Sequence, residues 1–435
     1  MLDKLKGLKS IKDAAMSRVQ AAKAPTDDTR HIIGLDIGTE YVKALIGRVE
    51  DDEITIVGMG RAHQGLSDMQ AGAVADIGAV VENCDRALNE AEKQAGVSAR
   101  GAIIGIAGEL VKGTTTTVRV ARKTPNKAMD IAEVERIIKL VQERAEAKAK
   151  KQLAWELGGK SIDVRLVNSA LVGIEIDGYT VTNPIGFQGR DVVVQLYTAF
   201  APLVHIGALE RVAEQLDLDL LAVAAEPFAV ARSVIGDDQT NTMNAVLMDV
   251  GGGTTDIAVI NDGGVQGTKM FGIGGRAFTR GIERDLAVDF DLAEKLKVAL
   301  GQGRVPAKQT KKVEDALKKT LDVWASGVEL ALGEFDKLDH LPHKLLLCGG
   351  GSSLGMLMDR LNQSDWYSRL PYTRKPVVQH IHPDQVVGIT DATGDVNDHT
   401  FITAMGLLRV GLDTVQYNGA GGSSVKDKID RILHV

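Results

Sequence analysis

A chain of 435 residues with 44% hydrophobic and 25% charged residues has the composition of a globular protein with room for roughly three ordinary domains. Its net charge of −7 argues against a broad basic surface for nucleic acid, and no apolar run reaches the ~20 residues needed to cross a bilayer. The two cysteines, Cys84 and Cys348, stand far apart without metal-ligand spacing, so a reducing cytoplasm is expected rather than a disulfide framework.

In chain order, residues 1–24 read as a basic helix carrying six Lys or Arg against two Asp, without the apolar stretch of a secretory signal. Ala24-Pro25-Thr26-Asp27-Asp28 then breaks the pattern as a linker. A hairpin follows, made of Ile32 to Ile37 and Val42 to Ile46, then a strand (Ile54 to Met59) and a helix (about Asp76 to Gln94). Ala102 to Ile106 and Thr114 to Val120 read as strands, Asp130 to about Gln152 as a charged helix, and Ile162 to Ile176 and Val192 to Phe200 as extended chain. This block has the look of an inserted subdomain. Helix Leu203 to Leu216, strand Leu220 to Ala224 and helix Pro227 to Ser233 lead to a second hairpin (Val246 to Val250 and Ile257 to Ile260). Gly272-Ile273-Gly274-Gly275 opens a helix, charged helical sequence runs to about Leu332, and Lys344 to Cys348 is a strand. Gly419-Ala420-Gly421-Gly422-Ser423-Ser424 is a flexible linker by composition, followed by a short helical tail.

The two hairpins say almost the same thing. Asp36-Ile37-Gly38-Thr39 ends the first strand of one, and Asp249-Val250-Gly251-Gly252-Gly253-Thr254 ends the first strand of the other. A glycine turn bares backbone N–H groups, which favour phosphate oxygens, and a carboxylate beside it favours hydrated Mg²⁺. Two such turns facing each other would grip a polyphosphate from both sides. Three successive glycines weaken a strand-turn-strand through chain entropy, so close approach to a ligand is the expected return. Asp256, past the second turn, reads as a hairpin residue rather than a ligand. A third cluster, Gly349-Gly350-Gly351 after the buried-type strand Leu345 to Cys348, allows backbone to pack flat against a ring or ribose ahead of a helix start near Leu354. The nine histidines show no ligand spacing.

Three glycine-rich strand ends in this order resemble the actin-like ATPase superfamily. Further segments resemble its bacterial FtsA family: Ile103-Ile104-Gly105-Ile106-Ala107-Gly108, Asn183-Pro184-Ile185-Gly186-Phe187-Gln188-Gly189-Arg190, Ala225-Glu226-Pro227-Phe228-Ala229 and Ala293-Glu294-Lys295-Leu296-Lys297. Arg276, after Gly274-Gly275, stands where FtsA-like chains often carry an acidic residue. The resemblance implies an α/β, two-lobed actin-like ATPase fold of duplicated ribonuclease H-like domains. It divides the chain into an N-terminal helix and linker (1–29), a first lobe (30–98 with 196–240), an inserted FtsA-type subdomain (99–195), a second lobe (241–415) and a Gly-rich linker with a tail (416–435).

It also implies ATP with Mg²⁺. The phosphates would be held by Gly38, Thr39, Gly251, Gly252, Gly253 and Thr254, the metal by Asp36 and Asp249 through water, and the nucleoside by Gly274, Gly275, Glu294, Lys297, Gly349, Gly350 and Gly351. Glu226 is the candidate to orient water for phosphoryl transfer. By the same resemblance the chain would polymerise on the inner face of the cell membrane, tether the FtsZ ring through the FtsZ C-terminal peptide, and meet other division proteins. The FtsZ surface would lie among the helices between Gly281 and His340. Two amphipathic termini could supply the membrane contact: one arc through Met1, Leu2, Leu5, Leu8, Ile11, Met16 and Val19, the other through Val425, Ile429, Ile432 and Leu433. An alternative on the same fold is a PilM-like pilus-assembly protein that docks a peptide of an inner-membrane partner. A sugar kinase is a third reading, for which no additional catalytic Asp can be assigned.

Overall fold

The computed structural model describes residues 31–50, 52–235, 242–363 and 365–419. The basic segment expected over 1–24 and the tail expected over 425–435 lie outside them.

The first lobe is a six-stranded sheet in the order Asp219–Ala225, Gly101–Ile106, His31–Ile37, Tyr41–Glu50, Glu53–His63, Ile389–Asp391. His31–Ile37 and Tyr41–Glu50 are the expected first hairpin, with Asp36 opposite Lys43 and Ile37 opposite Val42. Two helices cover the faces. Helix Ile77–Ala95, capped by the Asp76 carboxylate on the Ala79 N–H, lies so close to the third strand that a methyl group on Gly60 would overlap the Ala87 carbonyl. Helix Ile402–Gly419 lies on the opposite face, where a Cβ on Gly34 would come within 2.7 Å of the Ala404 carbonyl.

Three features depart from the sequence-based expectation. Gly101–Ile106, expected to open the insert, pairs in parallel with both His31–Ile37 and Asp219–Ala225 inside the first lobe. Its run Ala102 to Ile106 is wholly buried, which a strand needs when both sheet faces are covered. The segment 389–419, expected in the second lobe and its linker, returns to the first: Ile389 pairs with Ile54, and the last helix buries Ile402, Leu407, Leu408 and Leu412 there. A helix apolar on nearly every side requires cover all round, and only the sheet with helix Glu226–Ile235 supplies it. Finally, Asp191–Pro202, expected to pass to the first lobe from residue 196, pairs along its whole length with insert strands.

The second lobe is built on Val377–His380, Lys344–Cys348, Ala245–Val250, Thr255–Asn261 and Gly264–Phe271. This sheet continues across one pairing, Gly267 with Thr114, into the insert strands Lys112–Ala121, Asp191–Pro202, Val164–Ile176 and Tyr179–Thr180. Helix Ile131–Glu156 packs Val134, Ile138 and Val141 on the insert sheet. Helices Gly275–Leu286, Phe290–Gly301, Ala307–Gly333 and Gly355–Gln363 cover the second-lobe sheet around a core that includes Phe278, Leu317, Trp324 and Leu357. The Trp324 indole N–H donates to Thr255 Oγ1 at 3.0 Å, tying the longest of these helices to the strand that follows the glycine turn. Trp324→Phe should therefore lower stability by about 1–2 kcal/mol, from one lost hydrogen bond and some lost volume. Urea unfolding would read this as a lower midpoint with an unchanged slope.

Candidate nucleotide cleft

Between the lobes opens a cleft of about 470 Å³ whose wall contains Asp36, Gly38, Thr39, Glu226, Asp249, Gly251, Gly252, Thr254, Gly275, Glu294, Lys297 and Gly349 to Gly351. The structure thus gathers onto one surface residues separated by more than 300 positions. Gly253 and Gly274 stand just behind that wall. A Cβ on Gly253 would meet Thr39 Oγ1 at 2.7 Å, and one on Gly274 would meet the Gly251 carbonyl at 2.6 Å. A Cβ on Gly252 would lie 2.9 Å from the Glu40 Cβ. The two turns therefore face and touch each other, and glycine is what permits the approach.

Each charged group has an identifiable support. Asp36 accepts a hydrogen bond from Lys43 Nζ at 2.8 Å, its direct cross-strand partner. Asp249 accepts from the Thr403 hydroxyl, on the helix that returns to the first lobe. Glu226 opens helix Glu226–Ile235 and is 92% buried, close enough to Gly105 that a Cβ there would sit 3.0 Å from Glu226 Oε1. Burial pushes the Glu226 carboxyl well above its ordinary value, and Asp36, Asp256 and Asp249 push it further against the opposing pull of Lys43. Asp249 moves up for the same leading reason, although the Thr403 hydrogen bond and Lys43 work against it. For Lys43 burial alone would lower the pKa, but Asp36 and Asp249 outweigh it and the net shift is upward.

Asp256 is more than a hairpin residue. It is buried in the cleft wall, accepts from Thr254 Oγ1 at 2.9 Å, and burial with the nearby Asp249 charge raises its pKa to about 8. The folded protein therefore keeps a proton on this carboxyl, between about pH 4 and 8, that the unfolded chain has released. Stability falls as pH rises through that window, by at most about 1.4 kcal/mol per unit for one whole proton. Unfolding midpoints compared between wild type and Asp256→Asn from pH 6.5 to 8 isolate the effect, because the variant loses its share of the slope. Within the acid half of this window the stacked His380 and His399 rings, 3.9 Å apart, add the opposite trend. Burial and the His380 neighbour hold His399 down near 4, so its own contribution to stability rises with pH between about 4 and 6.5 and offsets that of Asp256 there.

At the other end of the cleft Glu294 and Lys297 pair at 2.8 Å. Lys297 Nζ also donates to the Gly275 carbonyl (3.0 Å) and Thr279 Oγ1 (2.9 Å), which fixes both side chains beside the helix start. Lys43, Asp256, Arg276 and Thr403 all line the cleft and were not singled out as site residues by sequence. For Lys43 a signal existed, since a tight turn at Gly38 to Glu40 puts position 43 opposite 36. Thr403 lies 154 residues from its partner and carries no local mark.

The carboxylates fit a hard cation. Asp36, Asp249 and Glu226 are oxygen donors whose mutual repulsion a divalent ion would relieve. Among the described residues no three His, Cys, Asp or Glu side chains converge to hold a metal alone, so phosphate and water oxygens would have to complete the shell.

A sequence profile described as "Cell division protein FtsA" matches residues 246–406. The cell division protein FtsA of Pseudomonas aeruginosa is 26% identical over 439 residues, spanning 95% of this chain and 96% of that one. Along nearly its whole length the chain is thus similar to an FtsA protein. The FtsA of Bacillus subtilis is 27% identical and that of Neisseria meningitidis serogroup B 29%, each over 62% of this chain; these matches span 58% and 62% of those proteins. The fold is also that of the solved PilM-PilN type IV pilus biogenesis complex, at a TM-score of 0.64 and 16% identity, covering 88% of this chain and 98% of that one. The profile runs from the second hairpin through the Gly349 cluster into the helix that carries Thr403, so the family match covers one whole side of the cleft.

Proposed function

We propose that this chain is an ATP-binding actin-like division protein that assembles on the inner face of the cell membrane and tethers the FtsZ ring to it. The observation that carries the reading is the convergence of two carboxylate-bearing glycine turns and a third glycine cluster on one interlobe cleft. Backbone N–H groups of the turns around Gly38 and Gly251 to Thr254 hold the phosphates, assisted by Lys43. Glu294 and Lys297 face the ribose, and Gly349 to Gly351 lie flat against the nucleoside. Asp36 and Asp249 would hold Mg²⁺, which would supply neutralisation of phosphate charge. Glu226 stands where it can orient a water. Its buried carboxyl favours the protonated form in the absence of a cation, so it serves that role only once the site's negative charge is balanced.

Nucleotide bridging both lobes fixes their relative orientation, and that orientation biases self-association into filaments. The FtsZ C-terminal peptide is assigned to the second-lobe helices, where Val323 and Leu330, seven residues apart on one helix, are exposed large apolar side chains. Membrane contact is assigned to one or both terminal segments; among the described residues no helix is long and apolar enough to cross a membrane. The PilM-like reading draws on likeness of fold alone.

Liposome co-sedimentation with Mg²⁺-ATP and FtsZ tests the whole reading, comparing the full chain with versions lacking residues 1–24 or 420–435. The full chain should carry FtsZ into the pellet, and one deletion should abolish this. Pelleting untouched by either deletion, or FtsZ left in the supernatant, would overturn it.

A further inference from the structure

Arg276 sits in the first turn of helix Gly275–Leu286, and its backbone N–H donates to the Gly252 carbonyl at 2.8 Å. Its side chain lines the cleft wall on the way to the first lobe. It crosses to the first lobe, where Nε donates to Glu40 Oε2 at 2.7 Å and the two terminal nitrogens reach the carbonyls of Leu66 and Gly65 at 3.3 Å each. The other Glu40 oxygen, Oε1, lies 2.9 Å from His63 Nε2. Arg276 and Glu40 side chains are only 12% and 18% exposed. An ion pair so shielded is weakly screened, unlike the exposed surface pairs whose worth is close to nothing.

Position makes the pair consequential. Glu40 follows Thr39 in the first turn, and Arg276 is anchored by its backbone to the second. The bond thus joins the two phosphate-facing turns from outside, across their point of contact. Both residues form part of the cleft wall, so any opening of the lobes wide enough to pass a nucleotide must separate them.

We propose that the Glu40–Arg276 pair is a clasp across the lobes, a positioning pair that sets how fast nucleotide enters and leaves without itself binding phosphate. The inference rests on the nucleotide reading of the cleft. Three acceptors from the first lobe satisfy the guanidinium, which keeps its charge on the rim instead of on the phosphates. Breaking the clasp speeds opening, and reversing both charges restores it.

Two measurements on the full chain test this. Stopped-flow release of a fluorescent ADP, chased with ATP, is expected to be about 10-fold faster in Arg276→Ala and in Glu40→Gln, in keeping with the off-rate changes that follow loss of one member of a shielded charge pair. The double variant Glu40→Arg/Arg276→Glu should return most of the way to the wild-type rate. Hydrogen exchange on the protein without nucleotide should show faster exchange in residues 38–42 and 251–255 for the single variants. Unchanged release rates with unchanged exchange would overturn the clasp. So would loss of nucleotide binding in Arg276→Ala with none in Glu40→Gln, which would make Arg276 a phosphate ligand. Failure of the wild type itself to bind nucleotide, with the exchange difference intact, would refute the nucleotide reading and leave the cross-lobe contact standing.

Discussion

Lys43→Met is expected to lower stability by about 3 kcal/mol and to weaken ATP binding by roughly 10²-fold. Lys43 is the counter-charge to three buried carboxyls: it pairs with Asp36 at 2.8 Å and opposes the upward shifts of Glu226 and Asp249. Its removal leaves those groups facing one another in a site where they cannot be fully solvated, which is the costly way to break a buried pair. The carboxyls can escape by taking up protons, so the deficit should be smaller at pH 5 than at pH 8. Urea unfolding at the two pH values checks the first half, and titration calorimetry with Mg²⁺-ATP the second. An equal deficit at both pH values would mean that Lys43 acts through packing instead of charge.

Gly349→Ala is expected to remove nucleotide binding almost entirely, by more than about 10²-fold, while its neighbour Gly350→Ala leaves stability unchanged within about 0.5 kcal/mol. Gly349 has φ +80°, a backbone region that strains any L side chain, and its added methyl would overlap Asp249 Oδ1 and press on the Val250 carbonyl. Relief must come from moving Asp249 and the second turn, the groups proposed to meet phosphate and metal. Gly350, one residue on, has open space where its Cβ would go. Thermal melts with and without Mg²⁺-ATP separate the effects. Gly349→Ala should be less stable and unresponsive to nucleotide, and Gly350→Ala should melt like the wild type without nucleotide.

Local features of the fold were legible in the sequence because they are written in adjacent residues. The strand Lys344–Cys348 is an unbroken apolar run stopped by glycines, and helix Ile77–Ala95 begins at an Asp that caps it and ends at Gly96 in the left-handed region. The turns at Gly38 and Gly251 announce themselves by composition. What was not legible depends on pairing at a distance. Nothing in Gly101–Ile106 says that its neighbours are 70 residues before and over 110 after it, and Ile389–Asp391 is too short for any periodicity. The same holds for the cleft. Asp36 and Asp249 were found from their turns, whereas Thr403 and the Glu40–Arg276 pair became visible only when the last helix returned to the first lobe and the two turns met. Asp256 is the hairpin residue that its sequence suggests, but its sequence neighbourhood does not reveal that the strand faces a carboxylate-rich cleft.

The central claim is that the two turns and the Gly349 cluster make one nucleotide site. Equilibrium binding of ATP to the full chain, with and without Mg²⁺, measures it directly. The structure predicts saturation at one nucleotide per chain, tighter with Mg²⁺ than without, and abolished in Gly349→Ala. Absence of saturable binding at millimolar ATP, or binding that is indifferent to Mg²⁺ and survives in Gly349→Ala, would contradict it.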